Sequence, residues 1–376
     1  MKHTLSLLLT ALLLQGCISE TSQRIRQGEA APRAVLSPLW EKPLFTYSRF
    51  SPIPEQFGSP VFSRSGQIIY LATSKGDVVA LSDSGRGLWK RSFKDSFQTA
   101  PALFEPIDLL VIGSLGGSLY GLSPKTGKQL WKFQGFGSFM AGFAYNNGVI
   151  YATTSKNMLY AITADTGDLH WSRRNETLSG FTVKGHSAPV IDGKLLYMGL
   201  SDGRLQALDI TRRGTLVWSK TLENPDKENY IDSDADPLID GDTLYTASYR
   251  NGVVALEKDS GDLLWKFPAY GVTSLSIVRD HIYFVSPRDG IHCLTLSGKL
   301  VWKQHVDYGT PKKLLIRGRR MFIAFDLGGL IAIDPVTGFF FQRFDTGAGI
   351  SGNPSIHGNR LATFANNGKL YLFQIK

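Results

Sequence analysis

The sequence predicts an all-β fold: a single eight-bladed β-propeller of four-stranded antiparallel blades, its ring closed by the N-terminal strand. Three observations lead there. A strand–turn–strand pattern ending in Gly-x-x-x-Trp recurs at intervals of 37–47 residues, about the size of a four-stranded blade. Within the repeats, apolar runs are joined by turns in which Asp-Gly and Asn-Gly recur, dipeptides that supply the positive φ of tight hairpins. The last repeat ends before its final strand, while a spare tryptophan, Trp40, stands near the other end of the chain.

Six complete units run over 67–89, 108–131, 148–171, 193–218, 241–265 and 280–302, and each ends on its tryptophan. A seventh, 319–342, has Gln342 at the tryptophan position, and the eighth, 359–376, stops early. Trp40-Glu41-Lys42 is the missing strand of that eighth unit, and pairing it there removes two sheet edges that would otherwise invite aggregation. Strands are legible locally as well. Leu195–Met198 and Leu205–Leu208 flank Ser201-Asp202-Gly203, and further turns fall at Asn251-Gly252, Asp289-Gly290 and Asn367-Gly368. Cys293 lies in the apolar run Ile291-His292-Cys293-Leu294 and reads as a small core residue. No amphipathic helical pattern follows the first residues.

The N-terminus carries a different signal. Lys2 and His3 precede Thr4–Leu14, eleven residues without a charge. A membrane span needs about 20 apolar residues, so this run reads as a signal-peptide core. It leads into Leu14-Gln15-Gly16-Cys17, which resembles the bacterial lipobox. That resemblance implies cleavage before Cys17 and a diacylglycerol on its thiol. Ile18, where the enterobacterial sorting rule places aspartate for inner-membrane retention, implies the periplasmic face of the outer membrane. The expected organisation is a signal peptide over 1–16, lipidated Cys17 with a flexible tether over 17–38, and the propeller over 39–376. Extended, the tether reaches roughly 70 Å. With Cys17 acylated, Cys293 has no partner for a disulfide in the mature chain.

Net charge is +9. Export excludes nucleic acid as the partner of those cations, leaving lipid phosphates, peptidoglycan or an acidic protein face, or simply solvated loops. Motifs of catalysis and metal binding are missing. Asp232-x-Asp234-x-Asp236 begins like a calcium loop, yet the sixth and twelfth positions hold Pro237 and Thr243 instead of glycine and glutamate. The seven histidines lack zinc spacing, and no Gly-x-Ser-x-Gly elbow occurs. The expectation is a binding protein that is not an enzyme and needs no cofactor.

The units, such as Ala161-Ile162-Thr163-Ala164-Asp165-Thr166-Gly167-Asp168-Leu169-His170-Trp171, resemble the pyrroloquinoline-quinone-type propeller repeat. That resemblance implies tryptophans docked on the neighbouring blade. Two function classes share the repeat: quinoprotein dehydrogenases and the BamB family, lipoproteins of outer-membrane β-barrel assembly. The dehydrogenases imply an adjacent cysteine pair and large loop insertions, and neither is found in this chain. Lipobox, length, single propeller and Gln342 resemble the BamB family. So do the loops Phe181-Thr182-Val183-Lys184-Gly185-His186-Ser187-Ala188-Pro189 and Asp232-Ser233-Asp234-Ala235-Asp236-Pro237.

The resemblance implies that Phe181, Val183, Lys184, Asp232 and Asp234 contact the periplasmic POTRA region of a BamA-type insertase, in a complex with other assembly subunits. Phe181 and Val183 stand where the family has leucines, and Lys184 where it has arginine, which loses the planar bidentate fork. The residues alone make these two loops neighbours on one rim, either a protein-docking patch or carboxylates capping turns. Charge reversal at Lys312 and Lys313, just after a later inter-blade turn at Thr310-Pro311, is expected to leave such docking nearly unchanged. Two further readings stay open: an envelope propeller with another protein or glycan partner, and a quinone-dependent oxidoreductase.

Overall fold

The computed structural model describes residues 34–47, 55–175, 187–222, 235–248, 250–272 and 274–376. These form eight four-stranded antiparallel sheets, each ordered consecutively from an inner to an outer strand. Blade 1 consists of Val61–Phe62, Ile68–Ala72, Asp77–Ser82 and Gly87–Ser92. Blades 2 to 7 occupy 102–134, 143–174, 190–221, 238–267, 275–304 and 315–344. Blade 8 holds Ser355–His357, Arg360–Phe364 and Lys369–Ile375, and its outer strand is the N-terminal Leu36–Pro43, as the repeat predicts. That strand begins at Leu36, not at Leu39 as the tether boundary expected, because Val35 and Leu36 are themselves buried in the core between blades 7 and 8. Two short 3-10 turns, Glu105–Ile107 and Ile210–Arg212, fill hairpin connections in blades 2 and 4.

The core is shared between blades. Tyr197 and Leu205 of blade 4 pack with Leu244 and Leu256 of blade 5. Phe364 and Leu370 of blade 8 pack with Ile69 and Leu71 of blade 1, which closes the ring. A blade has two apolar faces, and only its neighbours can cover them.

The Gly-x-x-x-Trp motif couples each blade to the next. The indole N–H of Trp89 donates to the Pro124 carbonyl at 2.8 Å, Trp131 to Ala164 at 2.8 Å and Trp218 to Lys258 at 2.9 Å. Trp265, Trp302 and Trp40 bond likewise to Leu296, Pro335 and Asp83. Each acceptor lies in the outer hairpin of the following blade, and the glycine of that hairpin's own motif lies against the ring. A Cβ on Gly261, for example, would come within 2.8 Å of the Trp218 indole. Every outer strand also bulges just ahead of the tryptophan, as between Ala80 and Leu81 of the partner strand in blade 1.

Trp171 likewise lies against Gly214, and one junction lacks the indole altogether. Gln342 replaces tryptophan at the end of blade 7, and Leu36 sits four residues before Trp40, where other outer hairpins carry glycine. The Gln342 side chain instead clasps the closing strand: its Oε1 accepts the Leu36 N–H at 2.8 Å and its Nε2 donates to the Leu36 carbonyl at 3.1 Å.

The interlock predicts a graded response to substitution. Gly261 and Gly318 both have positive φ, +71° and +60°, but a Cβ on Gly318 meets nothing within 4 Å. Gly318→Ala should therefore cost only the left-handed backbone penalty of about 1–2 kcal/mol. Gly261→Ala adds the clash with Trp218 and should cost clearly more, while Trp218→Ala should cost about 3–5 kcal/mol. Urea unfolding of the three variants checks the order.

Candidate docking face

Inter-blade connections and the hairpins between second and third strands share one face of the ring. The remaining hairpins lie on the other. The two loops singled out in the sequence are inter-blade connections, from blade 3 to 4 and from blade 4 to 5. Phe181, Val183, Lys184, Asp232 and Asp234 lie outside the described residues, as does Cys17. Their stems are described, and they meet. The Ala188 N–H, at the end of the first loop, donates to Asp236 Oδ1, at the end of the second, at 2.7 Å. Buried Ser187 anchors the first stem by accepting the Gly199 N–H at 2.7 Å. Leu222 anchors the second: its N–H donates to the Gly203 carbonyl, and its own carbonyl accepts from Asn251 Nδ2 at 2.7 Å.

Asp236 is thus the residue that joins the two loops, a role that spacing alone did not reveal. Its side chain borders the axial channel and is enclosed closely enough that burial raises its carboxyl above the usual carboxylate range. The Lys313 cation and the Ala188 N–H oppose that shift. Lys312 and Lys313, distant from Asp236 in sequence, line the same channel. The cause is topological. Every inter-blade connection leads into an innermost strand, so residues distant in sequence converge on the axis.

Beside the blade 3–4 junction, Asn157 takes a positive φ of 54° at the hairpin position that is glycine in the other blades. Its side chain reaches across the junction, donating to Ser201 Oγ at 2.7 Å and accepting the Ser201 N–H at 3.2 Å. Cys293 is buried opposite Trp302, and burial pushes its thiol up to about 11, in keeping with a core residue. Among the described residues, no three His, Cys, Asp or Glu side chains converge as a metal site would require.

A carboxyl raised above its unfolded value stabilises the fold most when protonated. That contribution is complete at acidic pH and is lost as pH rises through the raised value. Asp236→Asn keeps an oxygen for the Ala188 N–H and removes the enclosed charge. The variant should match or exceed the wild type in melting temperature at neutral pH, with its advantage shrinking as pH falls through the raised value and gone below the ordinary carboxylate range. Melting curves across pH check this.

A family model described as outer membrane protein assembly factor BamB matches residues 74–304. Among curated relatives of that description, the Shewanella oneidensis protein is 26% identical over 76% of this chain and 77% of its own length. The Burkholderia pseudomallei protein is 24% identical over 82% of each chain. The Legionella pneumophila protein is 29% identical, and that match spans half of each chain. Of solved structures, BamB from Moraxella catarrhalis superposes with a TM-score of 0.77 at 19% identity, covering 90% of this chain and 100% of that one. The quinohemoprotein alcohol dehydrogenase from Comamonas testosteroni superposes with 0.72 at 13% identity, over 91% of this chain and 76% of that one. Likeness at such identity speaks for the fold, whereas the sequence match over more than half the chain speaks for the family. The chain belongs to the family of outer membrane protein assembly factor BamB.

Proposed function

We propose that this chain is a non-catalytic scaffold lipoprotein of outer-membrane β-barrel assembly. In this reading it is held at the periplasmic face of the outer membrane by acyl chains on Cys17. Its face with Phe181, Val183, Lys184, Asp232 and Asp234 binds the POTRA region of a BamA-type insertase, and one copy serves each assembly complex. The observation that carries the reading is the bond from Ala188 to Asp236, which brings together the stems of the two loops that resemble the family's docking loops. Carboxylates and a cation around an apolar centre suit a protein interface. The quinoprotein class shares the fold, but Cys17 and Cys293 are the chain's two cysteines and cannot form an adjacent pair.

Binding of the detergent-solubilised full chain to a purified POTRA fragment tests the reading. Asp232→Ala with Asp234→Ala, and separately Phe181→Ala, should each weaken binding by about 2 kcal/mol or more. Lys184→Ala should cost less and act mainly on the association rate and its salt dependence. Lys125→Glu makes a suitable control, since Lys125 lies in an outer hairpin of the opposite face with 77% of its side chain exposed. A double aspartate variant that melts early yet binds normally once folded would assign those carboxylates to turn capping and end the docking proposal. For the anchor, Cys17→Ala should leave an uncleaved or mislocalised precursor. Recovery of the wild type as an unlipidated soluble protein would overturn that part.

A further inference from the structure

The innermost strand of each blade is paired on one side only, and these inner edges surround a cavity of about 890 Å³ on the ring axis. Residues of blades 1, 2, 3, 5, 6, 7 and 8 line it, from Pro311 at one end of the blade 7 wall to Arg317 at the other. Small polar residues share the wall with apolar ones such as Phe57, Met140 and Leu275, and its charge is unbalanced: Lys312, Lys313 and Arg317 face a single carboxylate, Asp236. Lys312 is tied up, with 9% of its side chain exposed and Asp326 3.9 Å away. Lys313 and Arg317 are exposed, and among the described residues neither has a carboxylate within ion-pair range.

The backbone that carries Lys313 is held. Its N–H donates to Asn353 Oδ1 at 2.9 Å, and the Asn353 N–H donates to Ser59 Oγ at 2.8 Å, a strut that runs from blade 7 through blade 8 to blade 1. Arg317 ends the strand Leu315–Arg317 and Lys313 precedes that strand by two residues, so along a near-extended path the two cations stand up to about 13 Å apart. Ser351 adds a separate observation. It lines the same cavity, is 4% exposed, and its buried hydroxyl has no hydrogen-bond partner.

We propose that the axial channel binds an extended acidic peptide segment, whose carboxylates at i and i+4 meet Lys313 and Arg317 while a polar group along it satisfies Ser351. The spacing is that of an extended chain, because alternate side chains face one side and every fourth residue advances about 13 Å. The volume falls within the range of about 300–1,000 Å³ typical of preformed ligand sites. Unpaired inner edges offer backbone donors and acceptors to a strand-like guest. This site is distinct from the docking loops, and its occupant is a peptide segment rather than a folded domain.

Isothermal titration of the full chain with the peptide Gly-Ser-Glu-Gly-Ser-Gly-Glu-Gly-Ser tests it, alongside an isomer with the two glutamates adjacent and a version with both replaced by glutamine. The spaced peptide should bind saturably and the other two at least about tenfold more weakly, the size of effect that loss of one charge-assisted bond produces. Lys313→Ala and Arg317→Ala should each weaken the spaced peptide by about tenfold, and Ser351→Ala by a smaller factor, with melting temperatures unchanged for the two exposed cations. Arg317→Ala should leave POTRA binding intact, which separates failure here from failure of the docking reading. Equal binding of the three peptides, indifference to Lys313 and Arg317, no saturation up to about 1 mM, or binding of citrate without the spaced peptide would each overturn the proposal.

Discussion

The ring rests on one contact repeated around it: an indole laid on a glycine of the next blade. Each side of the pair explains the other. The tryptophan needs an open backbone to lie on and a carbonyl for its N–H, and the outer hairpin supplies both, as at Gly298 and Leu296 for Trp265. The glycine must be bare because the ring is there and because its φ is positive. Since the same motif carries its own tryptophan four residues on, every blade but the seventh and eighth is at once seat and occupant. Stability of this kind belongs to pairs of neighbours, as in other repeat proteins.

That arithmetic explains why the fold was open to reading from the sequence. The motif is periodic, and its period equals one structural unit, so the number of blades and the role of Trp40 followed from spacing alone. The start of the closing strand did not. Ala34 to Pro38 carries little alternation, and only the core between blades 7 and 8 shows why Val35 and Leu36 are apolar. The substitution at Gln342 was visible, but not its purpose, because the Leu36 backbone that it clasps lies at the other end of the chain. Asp236 was noticed as part of an acidic run. Its bond to Ala188 joins two connections whose adjacency depends on the ring, so no local pattern could report it.

The excess positive charge divides into two populations. Many cations are neutralised where they stand: Lys90 by Asp77, Lys220 by Asp262, Lys258 by Asp192 and Arg360 by Asp83. Exposed pairs of this sort contribute about 0–1 kcal/mol each and are better understood as keeping the rim soluble. Lys313 and Arg317 differ in lining the axial cavity, whose low-dielectric walls focus the field of the charges along it. The burial that raises the Asp236 carboxyl acts in the same space. Charge placement, more than total charge, distinguishes the axis from the rim.

The clasp between Gln342 and Leu36 joins residues 306 positions apart. A chain made from its N-terminus holds Leu36–Pro43 ready long before Lys369–Ile375, its partner in blade 8, exists. Until then the first-made strand has no sheet to join, and the earlier blades stack as an open arc with apolar faces bare at both ends. Closing a loop of that length carries the full entropic cost of a distant encounter, and the cost is recovered only when the last strand arrives. Ring closure therefore waits until the last strand has been made. The interval before it is when the chain is most exposed to aggregation and to proteases.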